Sequence, residues 1–203
     1  TQTPSFDDAI ETITLNPTWT PPTSIAVREL IPRFRRDPDA VTREGFEVLD
    51  SSGRPVDPAA VDWRARPFPH TLRQRPGPHN ALGRLRFDLP NPSALFLHDT
   101  PSRGLFARAD RALSHGCIRV ENPVALADAE WDQSAIEAAI ATGTTQSIAL
   151  ASFLPVYVLY LTAAADGAGA VRYADDIYSR DAAVVRALDN PPRNLRRDVE
   201  SVT

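Results

Sequence analysis

Dipeptides that stop regular structure recur along this chain and leave room only for short elements. Asn16-Pro17 closes a strand-like stretch at residues 9–15, in which Ile13 and Leu15 stand two apart between threonines. Trp19 then enters a proline-rich loop. After Pro21-Pro22, a cap at Thr23 or Ser24 predicts a helix carrying Val27, Leu30, Ile31 and Phe34 on one face. Pro32 should kink or shorten it. A second short helix is predicted at residues 38–44 with Gly45 as its stop, then a strand at 46–49. The turn Asp50-Ser51-Ser52-Gly53 and a helix start at Asp57-Pro58 follow. Residues 23–75 therefore read as a small, mostly helical insertion or lid hung on a sheet.

From Gly83 the texture changes. Leu85, Phe87 and Leu89 alternate with polar residues, and after Asn91-Pro92 residues 94–98 read as a buried strand ending at His98. His98 shares a face with Phe96, while Leu97 and Asp99 point the other way. Asn122-Pro123 is a helix start for a run to residue 130, and residues 132–142 continue helically to Gly143. Two strands are expected at 146–151 and 156–162, and a third at 170–173 across the Asp166-Gly167 turn. The sum is a β-rich α+β domain without an internal repeat.

The 203 residues, 42% hydrophobic and 24% charged, are enough for one domain with a core, or one plus a modest insertion. The longest apolar stretch, residues 148–165, is interrupted by Ser152, Pro155 and Thr162, so no membrane span is expected. Cys117 is the only cysteine, which excludes an intrachain disulfide framework and says nothing of redox compartment. A start at Thr1 without any methionine reads as a processed or excised chain, so the absence of a targeting segment is uninformative. All 22 basic side chains are arginine, and a net charge of −4 argues against a nucleic-acid binder. Locally, residues 63–87 carry no acid but hold Arg64, Arg66, Arg73, Arg75, Arg84 and Arg86. That stretch could draw an anionic ligand or form a solvated basic face.

The chemistry concentrates in Ser114-His115-Gly116-Cys117-Ile118-Arg119, just before a helix start and with Cys117 19 residues after His98. A nucleophilic thiol needs a lowered pKa or an adjacent base, and His98 or His115 could supply it, with the Arg119 charge nearby. Gly116 lets the backbone turn sharply, so the Gly116 and Cys117 amides are candidates for stabilising an oxyanion. A lone cysteine is otherwise most often a buried, inert residue.

These residues resemble the L,D-transpeptidases with a YkuD-type catalytic domain, whose signature is a histidine, 14 to 17 residues, then Ser/Thr-His-Gly-Cys; here 15 residues separate His98 from Ser114. Leu97-His98-Asp99-Thr100-Pro101 and the run from Ser114 through Asn122 resemble the large Gram-negative branch. So do Asn16-Pro17-Thr18-Trp19, the segment from Pro76 through Gly83, Pro155-Val156-Tyr157 and Asp175-Asp176-Ile177-Tyr178. The resemblance implies a β-rich α+β catalytic fold of mixed sheets and few helices at residues 1–22 and 76–203. It also implies an inserted substrate-capping subdomain at 23–75. Strands that usually precede Thr3-Pro4-Ser5-Phe6 in such domains are expected to be missing from this chain.

On that resemblance, Cys117 is the nucleophile and His98 the base, its ring oriented by the backbone carbonyl of Asp99. His115 and Gly116 shape the acyl site. Arg119 is placed to hold a substrate carboxylate, with Ser114 and Asn122 as further substrate-binding candidates. The implied reaction acylates Cys117 with a peptidoglycan stem at diaminopimelate, releases D-Ala and passes the acyl group to a second stem as a 3→3 crosslink. No cofactor or metal is implied. Donor and acceptor stem peptides are the implied partners, carbapenem β-lactams the implied covalent inhibitors, and the periplasm follows from the substrate. Two rivals stand beside this: a zinc site from His98, His115 and Cys117 with His79 or His70, and a non-catalytic wall-binding relative. Trp19, Trp63 and Trp131 read as packing anchors rather than sugar platforms, and His70 and His79 as loop residues.

Overall fold

A computed structural model describes residues 2–128 and 131–190. In chain order the elements are strand β1 (Phe6–Leu15), helices α1 (Thr23–Ile25), α2 (Ile31–Arg36) and α3 (Asp39–Arg43), and strands β2 (Phe46–Leu49), β3 (Pro55–Val56), β4 (Thr71–Gln74), β5 (Leu85–Asp88), β6 (Leu97–His98) and β7 (Ile118–Arg119). Helices α4 (Pro123–Asp128) and α5 (Gln133–Ala141), strands β8 (Gln146–Val158), β9 (Ala163–Ala165) and β10 (Val171–Tyr173), and helix α6 (Asp181–Asp189) follow among the described residues. One five-stranded sheet has the order β7-β6-β5-β1-β8, in which only β6 and β7 pair parallel. Its apolar face packs Ile10, Ile13, Leu15, Leu85 and Phe87 against Val124 and Ala127 of α4 and Ile136 and Ile140 of α5. Helix α4 starts where Asn122-Pro123 predicts, and the stretch expected to continue it is a separate helix, α5, capped by Asp132. Asn122 accepts the Ala125 N–H at 3.4 Å and Asp132 accepts that of Ala135 at 3.1 Å. The last two residues of the run expected to reach residue 130 lie outside the described residues.

The segment at 23–75 has its own core: Leu30, Phe34, Ala40, Val41, Phe46, Val48, Val61, Trp63 and Leu72. Phe34 is fully buried, edge-on to both Phe46 (5.3 Å) and Trp63 (5.6 Å). Helices outweigh strands in it, as expected of a mostly helical insertion, and they pack with a three-stranded antiparallel sheet, β3-β2-β4, of which only β2 was expected. Strand β3, of two residues, carries no alternation that a sequence could show. Pro32 does not break the first helix; a π-helical stretch, Ala26–Leu30, precedes it and delivers the proline to the first turn of α2. Widening the helix by one residue absorbs the missing N–H donor, and the changed phase leaves Val27 half exposed.

Two further expectations change. Residues 94–98 form a loop up to Phe96: Ala94 has φ 49°, and the Asn91 side chain takes the Leu95 N–H at 3.0 Å and donates to its carbonyl at 2.6 Å. The two strands expected at 146–151 and 156–162 are one, β8, running through Pro155. β8 is the outermost strand, where a residue with no N–H is tolerated, and a register irregularity opposite Ile10 and Thr12 takes up its extra length. The three tryptophans pack against the two cores, as expected. Arg73, Arg84 and Arg86 of the acid-free stretch pair with Glu47, Glu137 and Asp88, so half of its charge is balanced within the fold.

Asn16 and Gln74 join the layers. The buried Gln74 pairs its backbone with Trp19, donates from its side chain to Glu44 and His79 carbonyls, and accepts the Ala81 N–H. Asn16, at φ 46°, donates to the Ile140 and Thr144 carbonyls at 3.0 and 3.2 Å and so satisfies the C-terminal end of α5 from the end of β1. Replacing Asn16 with alanine takes one donor from each of those carbonyls, leaving that of Ile140 with the Gly143 N–H, and puts a Cβ-bearing residue without a polar side chain in the left-handed region. Urea unfolding should report a loss of about 2–3 kcal/mol.

Candidate active site

The parallel pair β6–β7 assembles the site. Leu97 pairs with Ile118 and His98 with Arg119, tied by Val120 N–H to the His98 carbonyl (2.8 Å) and Ile118 N–H to that of Phe96 (3.2 Å). One residue earlier on each strand, Phe96 stands beside Cys117. Alternation along the strands then places Phe96, His98, Cys117 and Arg119 on one face of the sheet. The Phe96 ring meets the His98 ring edge-on at 5.9 Å.

His98 is 6% exposed, and its Nδ1 lies 2.5 Å from the backbone carbonyl of Asp99. A carbonyl only accepts, so the Nδ1 carries the proton and Nε2 is left with the lone pair, the form a general base needs. The Asp99 carboxylate holds that carbonyl in place. It is buried, pairs with Arg103, and accepts the Arg84 N–H at 2.8 Å and the Thr100 N–H at 2.7 Å. Gly83 makes room for it: at φ 62°, a Cβ there would stand 2.4 Å from the Asp99 carboxyl. Arg103 also reaches the Glu121 carbonyl, which ties the turn after β6 to the end of β7. Sequence reasoning named Asp99 only for its carbonyl and did not single out Gly83 or Arg103 for this support.

Cys117 is half-buried and lines a cleft of about 250 Å³ with Thr3, Leu105, Phe106, Arg111, Leu113, Ser114, Ile118 and Arg119. Burial pushes its thiol above the ordinary 9.0, opposed by the N–H groups of Phe96 and of Cys117 itself, which lean on the sulfur. Burial lowers the His98 pKa below 6.5. The Asp99 carbonyl and carboxylate oppose that shift, and the Arg119 charge adds to it. At neutral pH both groups rest uncharged. The ring and the sulfur make no hydrogen bond to each other among the described residues, a looseness common in unliganded sites.

Gly116 sits at φ 127°, a region that favours glycine, and a Cβ there would press within 3.2 Å of Leu95. Its N–H is given to the Ser114 hydroxyl at 3.1 Å, so of the two amides expected to face an oxyanion it is that of Cys117, leaning on its own sulfur, that stands at the reacting atom. Arg119 presents a buried Nε with no hydrogen-bond partner among the described residues. His115 and Asn122 stand apart from the cleft lining. The His115 side chain is 59% exposed and meets Glu29 of the π-helical stretch at 2.8 Å, while Asn122 caps α4. Glu29, Thr3 and Arg111 carry no signal of their own in the sequence, since their partners are remote along the chain or supplied by the fold. No three His, Cys, Asp or Glu side chains among the described residues are grouped to hold a metal, so the zinc reading has no donor set.

A catalytic-domain fold of mixed sheets with a cysteine and an oriented histidine on one face defines a class, and comparison agrees with it. The profile of the YkuD L,D-transpeptidase catalytic domain matches residues 1–157, and this chain belongs to that family. A Haemophilus influenzae protein named "Putative L,D-transpeptidase" is 36% identical over 187 residues, covering 89% of this chain. The chain spans only 38% of that relative's length. No helix among the described residues is long and apolar enough to cross a membrane.

The lowered His98 pKa has a fixed sign in its linkage to stability. An unfolded chain takes this proton near 6.5 while the folded one refuses it until lower pH, so stability is lost as pH falls from 6.5 through the folded value. NMR titration of the His98 ring should give a midpoint below 6.5, and a midpoint at or above 6.5 would contradict this account of its burial.

Proposed function

We propose that this chain is a cysteine acyltransferase that remodels peptidoglycan by L,D-transpeptidation. One observation carries the reading: the Asp99 carbonyl fixes the His98 tautomer, so a basic Nε2 shares a sheet face with the half-buried Cys117 sulfur. The sulfur attacks the carbonyl between diaminopimelate and D-Ala of a donor stem as its proton passes to His98 Nε2. The tetrahedral oxyanion lies at the Cys117 N–H. Collapse breaks the C–N bond, His98 returns the proton to the leaving amine, and D-Ala departs from a thioester. An amine of a second stem then attacks the thioester, gives its proton through His98 and leaves a 3→3 crosslink, regenerating the thiol. No cofactor enters this sequence.

The Nε of Arg119, without a partner among the described residues, and Arg111 in the same cleft lining support recognition of stem carboxylates, for which a guanidinium is the fitting donor. Residues 23–75 act as a cap on this reading, and the Glu29–His115 pair supports it by joining the insertion to the catalytic loop. Mature peptidoglycan lies outside the cytoplasmic membrane, which places the work in the periplasm.

A carbapenem presents a strained carbonyl that an acylating thiol traps as a thioester. Intact-protein mass spectrometry should show one adduct on the wild type and none on Cys117→Ala. Folded wild type that forms no adduct would favour a non-catalytic wall-binding relative. Capping has its own check: Glu29→Ala should raise KM for a tetrapeptide donor about two- to fivefold with kcat nearly unchanged. An unchanged KM would remove the support this ion pair gives to a cap.

A further inference from the structure

Among the residues that line the cleft, Thr3 carries a polar side chain for which the acyl-transfer steps have no role. Thr3 stands far from Cys117 in sequence, yet its hydroxyl donates to the Gly116 carbonyl at 3.0 Å and it lines the cleft beside Cys117. That carbonyl belongs to the peptide whose other end is the Cys117 N–H. A trans peptide is planar, with C=O and N–H on opposite sides, so whatever holds the oxygen also sets the direction of the N–H. Here the N–H leans toward the Cys117 sulfur, where charge would develop on an attacked carbonyl. Gly116, at φ 127° and without a Cβ, has the least intrinsic preference for one plane orientation, so an outside restraint is needed. The neighbouring Gly116 amide is already engaged by Ser114, which leaves the Cys117 amide to carry the oxyanion contact.

Thr3 is itself held in place. Its N–H meets the Tyr178 hydroxyl at 3.4 Å, and the Tyr178 ring stacks on Tyr160 at 4.7 Å with the Arg180 guanidinium over both rings. Tyr160 donates to Asp176 at 2.7 Å and accepts the Tyr178 N–H at 3.1 Å, and Arg180 reaches Gln2 at 3.1 Å. This brace of residues 160–180 clamps residues 2–3 against the catalytic loop.

We propose that Thr3 is a positioning residue for the oxyanion site, its hydroxyl locking the Gly116–Cys117 peptide plane so that the Cys117 N–H faces the developing negative charge. The proposal rests on the acyl-transfer reading above. It predicts a split between two reactions of the same sulfur. Acylation by a carbapenem builds an oxyanion, whereas alkylation by iodoacetamide displaces iodide at a saturated carbon and builds none.

Thr3→Val keeps the shape and removes the hydroxyl, and Thr3→Ser keeps the hydroxyl. The second-order rate constant for carbapenem acylation should fall on the order of tenfold in Thr3→Val and recover in Thr3→Ser, while the iodoacetamide rate, compared at equal thiolate fraction, stays within twofold in both. Acylation unchanged in Thr3→Val would overturn the proposal. So would parallel loss of acylation and alkylation, which would mean that Thr3 merely supports the loop. If the wild type is alkylated but never acylated, the acyl-transfer reading itself falls and takes this role with it, an outcome the variants are not needed to recognise.

Discussion

The buried carboxylate of Asp99 is the constraint on which the site depends. An ionised group taken from water must be surrounded by donors, and this one collects the Arg84 and Thr100 amides and the Arg103 guanidinium. Those donors come from the start of β5, the turn after β6 and the loop beyond it, so satisfying one charge fixes three pieces of chain. The same residue's carbonyl orients His98. Gly83 is the steric condition for the whole arrangement, because a side chain there would occupy the carboxylate's place. A motif that reads as His-Asp is thus an oriented imidazole and its anchor, with the anchor acting through backbone rather than through a carboxylate–imidazole contact.

The spacing between His98 and the Ser-His-Gly-Cys run has a topological cause. β6 and β7 are parallel neighbours, and parallel strands cannot be joined by a tight turn; the chain must leave the end of one and return to the start of the other. The 15 residues between His98 and Ser114 make that crossover, and some of them, Leu105, Phe106, Arg111 and Leu113, become a wall of the cleft. Connection length, strand direction and pocket are therefore one feature. The parallel register then brings Cys117 and His98 to the same face without any contact between their side chains being required to hold them there.

What the sequence made legible was local. The β1 alternation, the Asn122 cap, the Gly45 stop and strand β2 each depend on signals within a few residues, and each forms where those signals lie. The signature named Cys117, His98 and Gly116 because catalysis needs those residue types at fixed spacing. Long-range pairing was not legible. Nothing in the neighbourhood of Glu29 announces His115, nothing near Thr3 announces Gly116, and Gln74 resembles any polar strand residue until four segments converge on it. The sheet in the insertion and the continuity of β8 through Pro155 likewise depend on which strand ends up at an edge, a property of the assembled fold.

The charge state of the resting pair bears on how an acyl-transfer mechanism must run here. A preformed thiolate–imidazolium pair would require the thiol pKa to lie below that of the imidazole, but burial raises the first and lowers the second. Arg119 reinforces this order by disfavouring positive charge on the ring. In the acyl transfer proposed above, proton transfer from sulfur to Nε2 therefore belongs to the attack itself, when the substrate carbonyl takes up the electron pair and the Cys117 amide takes up the oxyanion. On this reading the neutral pair limits thiolate-driven side reactions in an empty cleft. An electrophile with a carbonyl that can use the amide gains most, and that demand makes the orientation of a single peptide plane decisive for rate.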